Sequence, residues 1–295
     1  MPYLLQNKNL KVTIDTPLEN YQGSRFDWTG KITEVKFKDI EVSGIEKLDT
    51  GEAEHCGKGF YNEFGIDSPV GFETTKIGDW FHKIGVGLLK KDSASYDFQK
   101  AYQVQPADFN VDPHPSKITI TCTAKVHNGY GYVLKKQIAL TEVGFVVRYQ
   151  LKNTGANTIT TNEYNHNFLA LDNELIGSDY HLKFPFEFQP AQFGETVNPE
   201  KKVILGEKDF KFTGTPKDQF FFSNLAGGKT VTAQWELQHL KSKIGIRETG
   251  SFPTNSINLW GWTHVMSPEL FHSISLAPGA TTTWSRSYEI FKLTQ

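Results

Sequence analysis

From residue 117 onward apolar residues recur at every second position, a pattern that few folds can use. KITITCTAKV (117–126) sets Ile118, Ile120, Cys122, Ala124 and Val126 against threonine and lysine, and GFVVRYQLKN (144–153) does the same with Phe145, Val147, Tyr149 and Leu151. An extended strand turns successive side chains to opposite faces, so each segment has one face for a core and one for water. With YVLKKQIAL between them they read as a meander, followed by the polar, glycine-containing turn KNTGANT (152–158). FHSISLAPGATTTWSRSYEIF (271–291) reads as a hairpin around Ala277-Pro278-Gly279-Ala280, with Pro278 presetting the first turn position and Gly279 accepting the positive φ of the second. NLKVTIDT, GSRFDWTGKITEVKF and KDIEVSG near the N-terminus also read as strands. No twelve-residue helix is evident, and 185–219, rich in proline, glycine and lysine, reads as long loops. Sheets made of such strands must each bury a face, which predicts an all-β protein, a large antiparallel β-sandwich. Nothing divides the chain, so residues 1–295 are expected to form one domain.

Charge narrows the partners. The 31 basic and 33 acidic side chains nearly cancel, which argues against nucleic acid or an anionic membrane surface and favours a neutral small molecule. The 22 Phe, 11 Tyr and 6 Trp suit strands and also supply flat apolar surfaces for sugar rings. Cys56 and Cys122 are far apart and lack metal-ligand spacing, so neither a disulfide framework nor a zinc site is expected, and His55 beside Cys56 has no partner spacing to change that. The N-terminus lacks a signal-peptide pattern and no run is long enough to span a membrane, so a cytoplasmic location is expected. No Walker loop, serine nucleophile elbow or HExxH motif is present, which sets phosphoryl transfer and serine hydrolysis aside.

Two segments stand in unusual company. TNEYNHNFLALDN (161–173) carries Asn162, Glu163, Asn165, His166 and Asn167 before turning apolar at Phe168. On an extended strand His166 shares a face with Tyr164, Phe168, Ala170 and Asp172. Alone, it reads either as a core histidine bonded across the sandwich or as part of a site, and the asparagines, each needing several partners when buried, lean toward an organised polar site. Glu269, in VMSPELFHSISLAPG (265–279), follows the tryptophan-rich NLWGWTH (258–264). A carboxylate held among aromatic rings has its charged form disfavoured and so becomes a candidate general acid or base; the alternative is a surface glutamate in a loop. Trp260 and Trp262, two apart, share a strand face and can stack on a pyranose or fill the core. His264 and His272 flank Glu269 and read either as groups that tune it or, more commonly for such residues, as surface histidines.

Asn165-His166-Asn167-Phe168-Leu169-Ala170-Leu171, preceded by a strand ending Leu151-Lys152-Asn153-Thr154, resembles a segment of the aldose 1-epimerases (galactose mutarotases). Ser267-Pro268-Glu269, followed by Leu276-Ala277-Pro278-Gly279, is similar to the end of the same family, and Gly23-Ser24-Arg25-Phe26 extends the likeness across most of the chain. The resemblance implies the galactose mutarotase-like supersandwich and an isomerase of free sugars, with Glu269 as general base for the anomeric hydroxyl and His166 as general acid for the ring oxygen, and with no metal or organic cofactor. The family's arginine and second histidine have no plain counterparts. His82, with Lys83 beside it, is the candidate for that pair, or else a solvated strand end. Asp172 is a candidate for holding a hydroxyl or for capping the strand, Trp262 for stacking on the sugar, and Glu63 and Glu73 are weaker candidates for substrate contact. Only four arginines, Arg25, Arg148, Arg247 and Arg286, are present, which favours an unphosphorylated substrate. A non-catalytic carbohydrate-binding protein using the same cleft is the alternative, with a glycoside hydrolase or lyase behind it.

Overall fold

The computed structural model describes residues 2–48 and 56–293, and they are built almost wholly of antiparallel strands. Ten strands form one large sheet whose central members are Ile244–Thr254, Thr281–Lys292, Gly144–Asn153, Tyr130–Leu140 and Lys117–His127. Seven form a second sheet in which Ile159–Asn167 lies between Phe60–Phe64 and His272–Leu276. A four-stranded sheet contains the hairpin Ile257–Trp262 and Val265–Leu270, and Trp80–Lys83 begins a three-stranded one. The meander stands as the alternation predicts, with Ile118 opposite Ile138 and Val147 opposite Ile138 in turn. The only helical turns among the described residues are two 3-10 turns, Leu171–Asn173 and Pro190–Gln192.

The C-terminal pair of strands departs from the expected hairpin. Gly279 does take positive φ, at 76°, in the turn after Pro278. His272–Leu276, however, pairs with Ile159–Asn167 in the seven-stranded sheet, whereas Thr281–Lys292 pairs with Gly144–Asn153 and Ile244–Thr254 in the ten-stranded one. The turn is therefore an arch from sheet to sheet. The 153–159 connection is a second arch beside it, and Asn153 clamps the two: its Nδ2 donates to the carbonyls of Asn157 (2.8 Å) and Leu276 (2.9 Å), and its own carbonyl accepts from Gly279. Alternation reports which face of a strand is apolar but not which neighbour that strand pairs with, so an arch and a hairpin look alike in sequence. The 185–219 stretch likewise holds short strands, Val203–Leu205 and Asp209–Phe212 among them, and within 23–37 only Lys31–Phe37 is extended.

The strand Ile159–Asn167 resolves its own excess of polarity. Its odd positions point into the space between the two large sheets. Glu163 accepts from Arg286 Nε (3.0 Å) and Nη2 (2.8 Å), from Trp284 Nε1 (3.0 Å) and from Asn62 Nδ2 (2.7 Å). Asn165 accepts from Asn62 and donates to the Tyr288 hydroxyl, which in turn donates to Asn167 Oδ1 at 3.0 Å. Asn167 Nδ2 donates to Glu248 Oε2 (3.0 Å), and Glu248 Oε1 accepts from Arg286 Nη1 at 2.6 Å. Tyr149 donates to Asn62 Oδ1 at 2.7 Å and Trp235 to Glu248 at 2.7 Å, so the asparagines organise the interior of the sandwich and not its cleft. Every member is buried, and the price of desolvating three charges is met because each finds opposite charge and directed hydrogen bonds.

Removing the cation alone leaves two buried carboxylates with nothing to offset them. Arg286→Met is therefore expected to destabilise the protein by about 3–5 kcal/mol in urea unfolding. A loss below about 1 kcal/mol would show that the network is not what ties the two sheets together.

Candidate active site

The even positions of the same strand face the other way. Tyr164 and His166, continued by Phe168, enter a second, largely aromatic cluster that includes Tyr21, Phe26, Tyr61 and Val265, with Trp260 and Trp262 packed against it. The His166 ring stacks on Phe168 at 4.1 Å between centroids, Trp260 meets it edge-on at 5.1 Å, and Phe26 stands perpendicular at 6.1 Å. Rings on several sides fix the imidazole plane without any hydrogen bond at Nδ1, which is buried and has no partner among the described residues.

The hairpin Ile257–Trp262/Val265–Leu270 delivers Glu269. It docks where the histidine strand ends: Leu169 and Met266 exchange backbone hydrogen bonds, and the Asn167 amide donates to Ser267 Oγ at 2.9 Å. Pro268, which has no N–H to offer a ladder, turns its carbonyl to Asn167 Nδ2 at 2.8 Å. Glu269 is thus a buried strand residue rather than a loop one, and its Oε1 lies 3.5 Å from His166 Nε2. The two side chains are contributed by segments a hundred residues apart, and only 3% of His166 and 5% of Glu269 is exposed.

Burial sets the protonation of both. It raises Glu269 from an ordinary 4.5 to about 8; the Arg25 charge and hydrogen bonds from Asn258 and Ser267 oppose this, and the neighbouring Glu63 adds to it. Burial, then the Arg25 charge, holds His166 well below its ordinary 6.5. At neutral pH the resting pair is a protonated carboxyl facing a neutral imidazole, with a single proton between them.

Arg25 is the cation beside this pair, and sequence reasoning gave it no role in the site. It sits in the loop between Leu10–Asp15 and Lys31–Phe37, where the Tyr21 hydroxyl accepts from the amides of Arg25 (3.2 Å) and Phe26 (3.1 Å). Gly23 lets the Tyr21 ring lie against the backbone, since a Cβ there would meet the hydroxyl at 2.5 Å. The guanidinium lies over Phe26 and Phe98, donates from Nε to Glu63 Oε2 (2.9 Å) and from Nη2 to the Tyr164 hydroxyl (3.1 Å), and pairs with Glu46 at 3.5 Å. Glu63 is wholly buried. Burial pushes its carboxyl up, but Lys83 and Arg25, with the Tyr164 hydroxyl bond, hold it below the ordinary range. No motif links residues 25, 63 and 164, and only the folded sheet brings them together.

The remaining candidates separate. Lys83 is engaged within the protein: its Nζ is buried against Glu63 (3.0 Å) and the Tyr96 hydroxyl (3.1 Å). His82, its neighbour on an extended strand, faces the other way, bonding the Tyr130 carbonyl at 3.0 Å beside the Tyr132 ring, and burial lowers it to about 4. It makes no contact with His166 or Glu269. Asp172 leaves the strand pattern altogether, because extension ends at Asn167 and the residue stands exposed in a 3-10 turn at φ 58°. Trp260 rather than Trp262 touches His166; Trp262 is half-buried further along, its Nε1 donating to the Lys217 carbonyl at 2.9 Å. Glu73 is exposed, and Cys56 and Cys122 are buried. His55 lies outside the described residues. Among the described residues no cluster of three His, Cys, Asp or Glu side chains is placed to hold a metal, and no helix is long and apolar enough to cross a membrane.

No protein-family model matches the sequence, and no curated protein does. Solved structures do match over essentially the whole chain. A candidate aldose 1-epimerase from Escherichia coli K12 superimposes with a TM-score of 0.63 at 12% identity, covering 99% of each chain. A galactose mutarotase-like protein from Lactobacillus casei gives 0.59 at 13% identity, covering 99% of this chain and 100% of the other. An aldose epimerase homologue from C. elegans gives 0.55 at 12%, covering 100% and 99%. The chain has the all-β galactose mutarotase-like fold, as the resemblance in its motifs implies.

The raised pKa of Glu269 has a consequence for stability. A carboxyl that holds its proton more tightly when folded contributes fully below its unfolded value of 4.5 and loses that contribution as pH rises through about 8. Glu269→Gln, which cannot ionise, is expected to gain stability over wild type across that window, by a few kcal/mol at most, and to hold the gain above it. Urea midpoints of the two proteins, measured from about pH 5 to about pH 9, check this; parallel curves would place Glu269 in a solvated setting.

Proposed function

We propose that this protein is an isomerase that interconverts the α and β anomers of a free, unphosphorylated aldose by acid–base ring opening at His166 and Glu269. The observation that carries the reading is the 3.5 Å separation of His166 Nε2 and Glu269 Oε1 among aromatic rings, in a galactose mutarotase-like fold. Anomeric exchange moves protons on two oxygens borne by one carbon, the ring oxygen and the anomeric hydroxyl, so its acid and base must stand close together. Glycoside hydrolysis usually uses two carboxyl groups about 5 Å or more apart, and the second carboxyl near this pair, Glu63, is wholly buried and engaged by Arg25, Lys83 and Tyr164.

A pair holding one proton always contains an acid and a base. Glu269 as carboxylate takes the proton from the anomeric hydroxyl while His166 as imidazolium protonates the ring oxygen; the C–O ring bond breaks, the carbonyl forms, and rotation lets the hydroxyl re-add to the other face. That opening leaves Glu269 protonated and His166 neutral, the distribution that burial favours in the resting site. The productive ion pair is reached by passing the Glu269 proton to His166 over 3.5 Å, a step assisted by the Arg25 charge on the carboxylate side. Because the pair is so little exposed, the sugar displaces covering side chains, and Trp260, half-buried and held by a 3.3 Å bond to Gln219, is the least fastened of those touching His166. An unphosphorylated substrate fits because Arg25 and Lys83 are already engaged by Glu63.

Polarimetry on freshly dissolved α-glucose and α-galactose tests the reading. Wild type should speed mutarotation above the spontaneous rate, and His166→Ala and Glu269→Gln should each lower kcat at least about 100-fold. If wild type accelerates none of a panel of aldoses, the isomerase reading fails and a carbohydrate-binding protein takes its place.

A further inference from the structure

Directly opposed residues of an antiparallel ladder share a face, which turns the Glu269 hairpin into a ruler. Its register pairs Asn258 with Glu269, Trp260 with Ser267, and Trp262 with Val265. One face therefore carries Glu269 and Asn258 at its base, Trp260 one step out against His166, and Trp262 at the tip beside the turn. Two residues of strand span about 6.6 Å, the scale of a sugar ring. Trp262 does not reach the acid–base pair, yet it is held firmly: its Nε1 and Thr263 Oγ1 both donate to the Lys217 carbonyl, at 2.9 and 3.3 Å, and His264 Nε2 bonds the Ile45 carbonyl at 2.9 Å. A half-exposed indole already fixed by its neighbours loses little conformational freedom when a ring stacks on it.

We propose that Trp262 forms a second sugar subsite, so that the preferred substrates are neutral reducing disaccharides and oligosaccharides: the terminal aldose lies at His166 and Glu269, and the next ring stacks on Trp262. This rests on the anomer-interconverting reading of the site and adds the substrate class. The anomeric carbon of a reducing terminal ring is the one free to open, and the hairpin face leads outward from that ring toward solvent.

Two measurements test it: kcat/KM by polarimetry for maltose against glucose and lactose against galactose, in wild type and Trp262→Ala, and calorimetric titration of Glu269→Gln with maltose and glucose. Wild type should favour the disaccharide of each pair, and Trp262→Ala should reduce that preference about tenfold, with Trp262→Phe restoring part of it. Equal preference in wild type and Trp262→Ala overturns the subsite. If no sugar is accelerated, the catalytic reading falls separately, and the titration decides the subsite: tighter binding of maltose than glucose, lost when Trp262→Ala is added, supports it, and equal binding overturns it.

Discussion

Arg286 is fully buried between the two large sheets, with Glu163 on one side and Glu248 on the other, at 2.8 and 2.6 Å. It grows from the ten-stranded sheet, and Glu163 grows from the strand that carries His166 in the facing sheet. Apolar packing alone would let one sheet slide over the other at modest cost, because dispersion has little directional preference. A guanidinium with fixed donors has a preferred geometry, so the contact pins the height and register of the histidine strand. Asn62, Asn165 and Asn167 complete the arrangement, and the position of Glu269 depends on it as well, since Asn167 is joined to both Ser267 and Pro268.

The second cluster of buried charge does different work. Arg25 and Lys83 close on Glu63, and Arg25 also pairs with Glu46, so the formal charges of this cluster cancel while the Arg25 guanidinium is the cation felt at Glu269 and His166. Burial of Glu269 and His166 disfavours their charged forms, and the Arg25 charge favours the carboxylate over the imidazolium. The site is thus neutral at rest, with an ionic form within one proton transfer.

Period-two alternation made the meander and the all-β architecture legible, because it depends only on which face of a strand is wet. The partition of strands between sheets was not legible: 271–291 has the pattern of a hairpin and the structure of an arch, and pairing partners are not written in local sequence. His166 and Glu269 could be singled out by the chemistry of their neighbours. Arg25 could not, since its link to Glu63 and Tyr164 spans 38 and 139 residues. Asp172 does not share the face of His166, because the strand ends at Asn167 and Asp172 itself is left-handed in the 3-10 turn Leu171–Asn173. Trp260 and Trp262 are equivalent in sequence and differ only in their distance along the hairpin from His166.

The alternation within Ile159–Asn167 separates two tasks along one nine-residue segment. Glu163, Asn165 and Asn167 face the network between the sheets, while Tyr164 and His166 face Glu63 and Glu269, and neighbours in sequence have almost no partners in common. A substitution at an odd position strikes the charged network between the two large sheets, and one at an even position strikes the aromatic cluster on the other side of the strand. One strand thus joins two separately built interiors, and a one-residue slip in its register would exchange them.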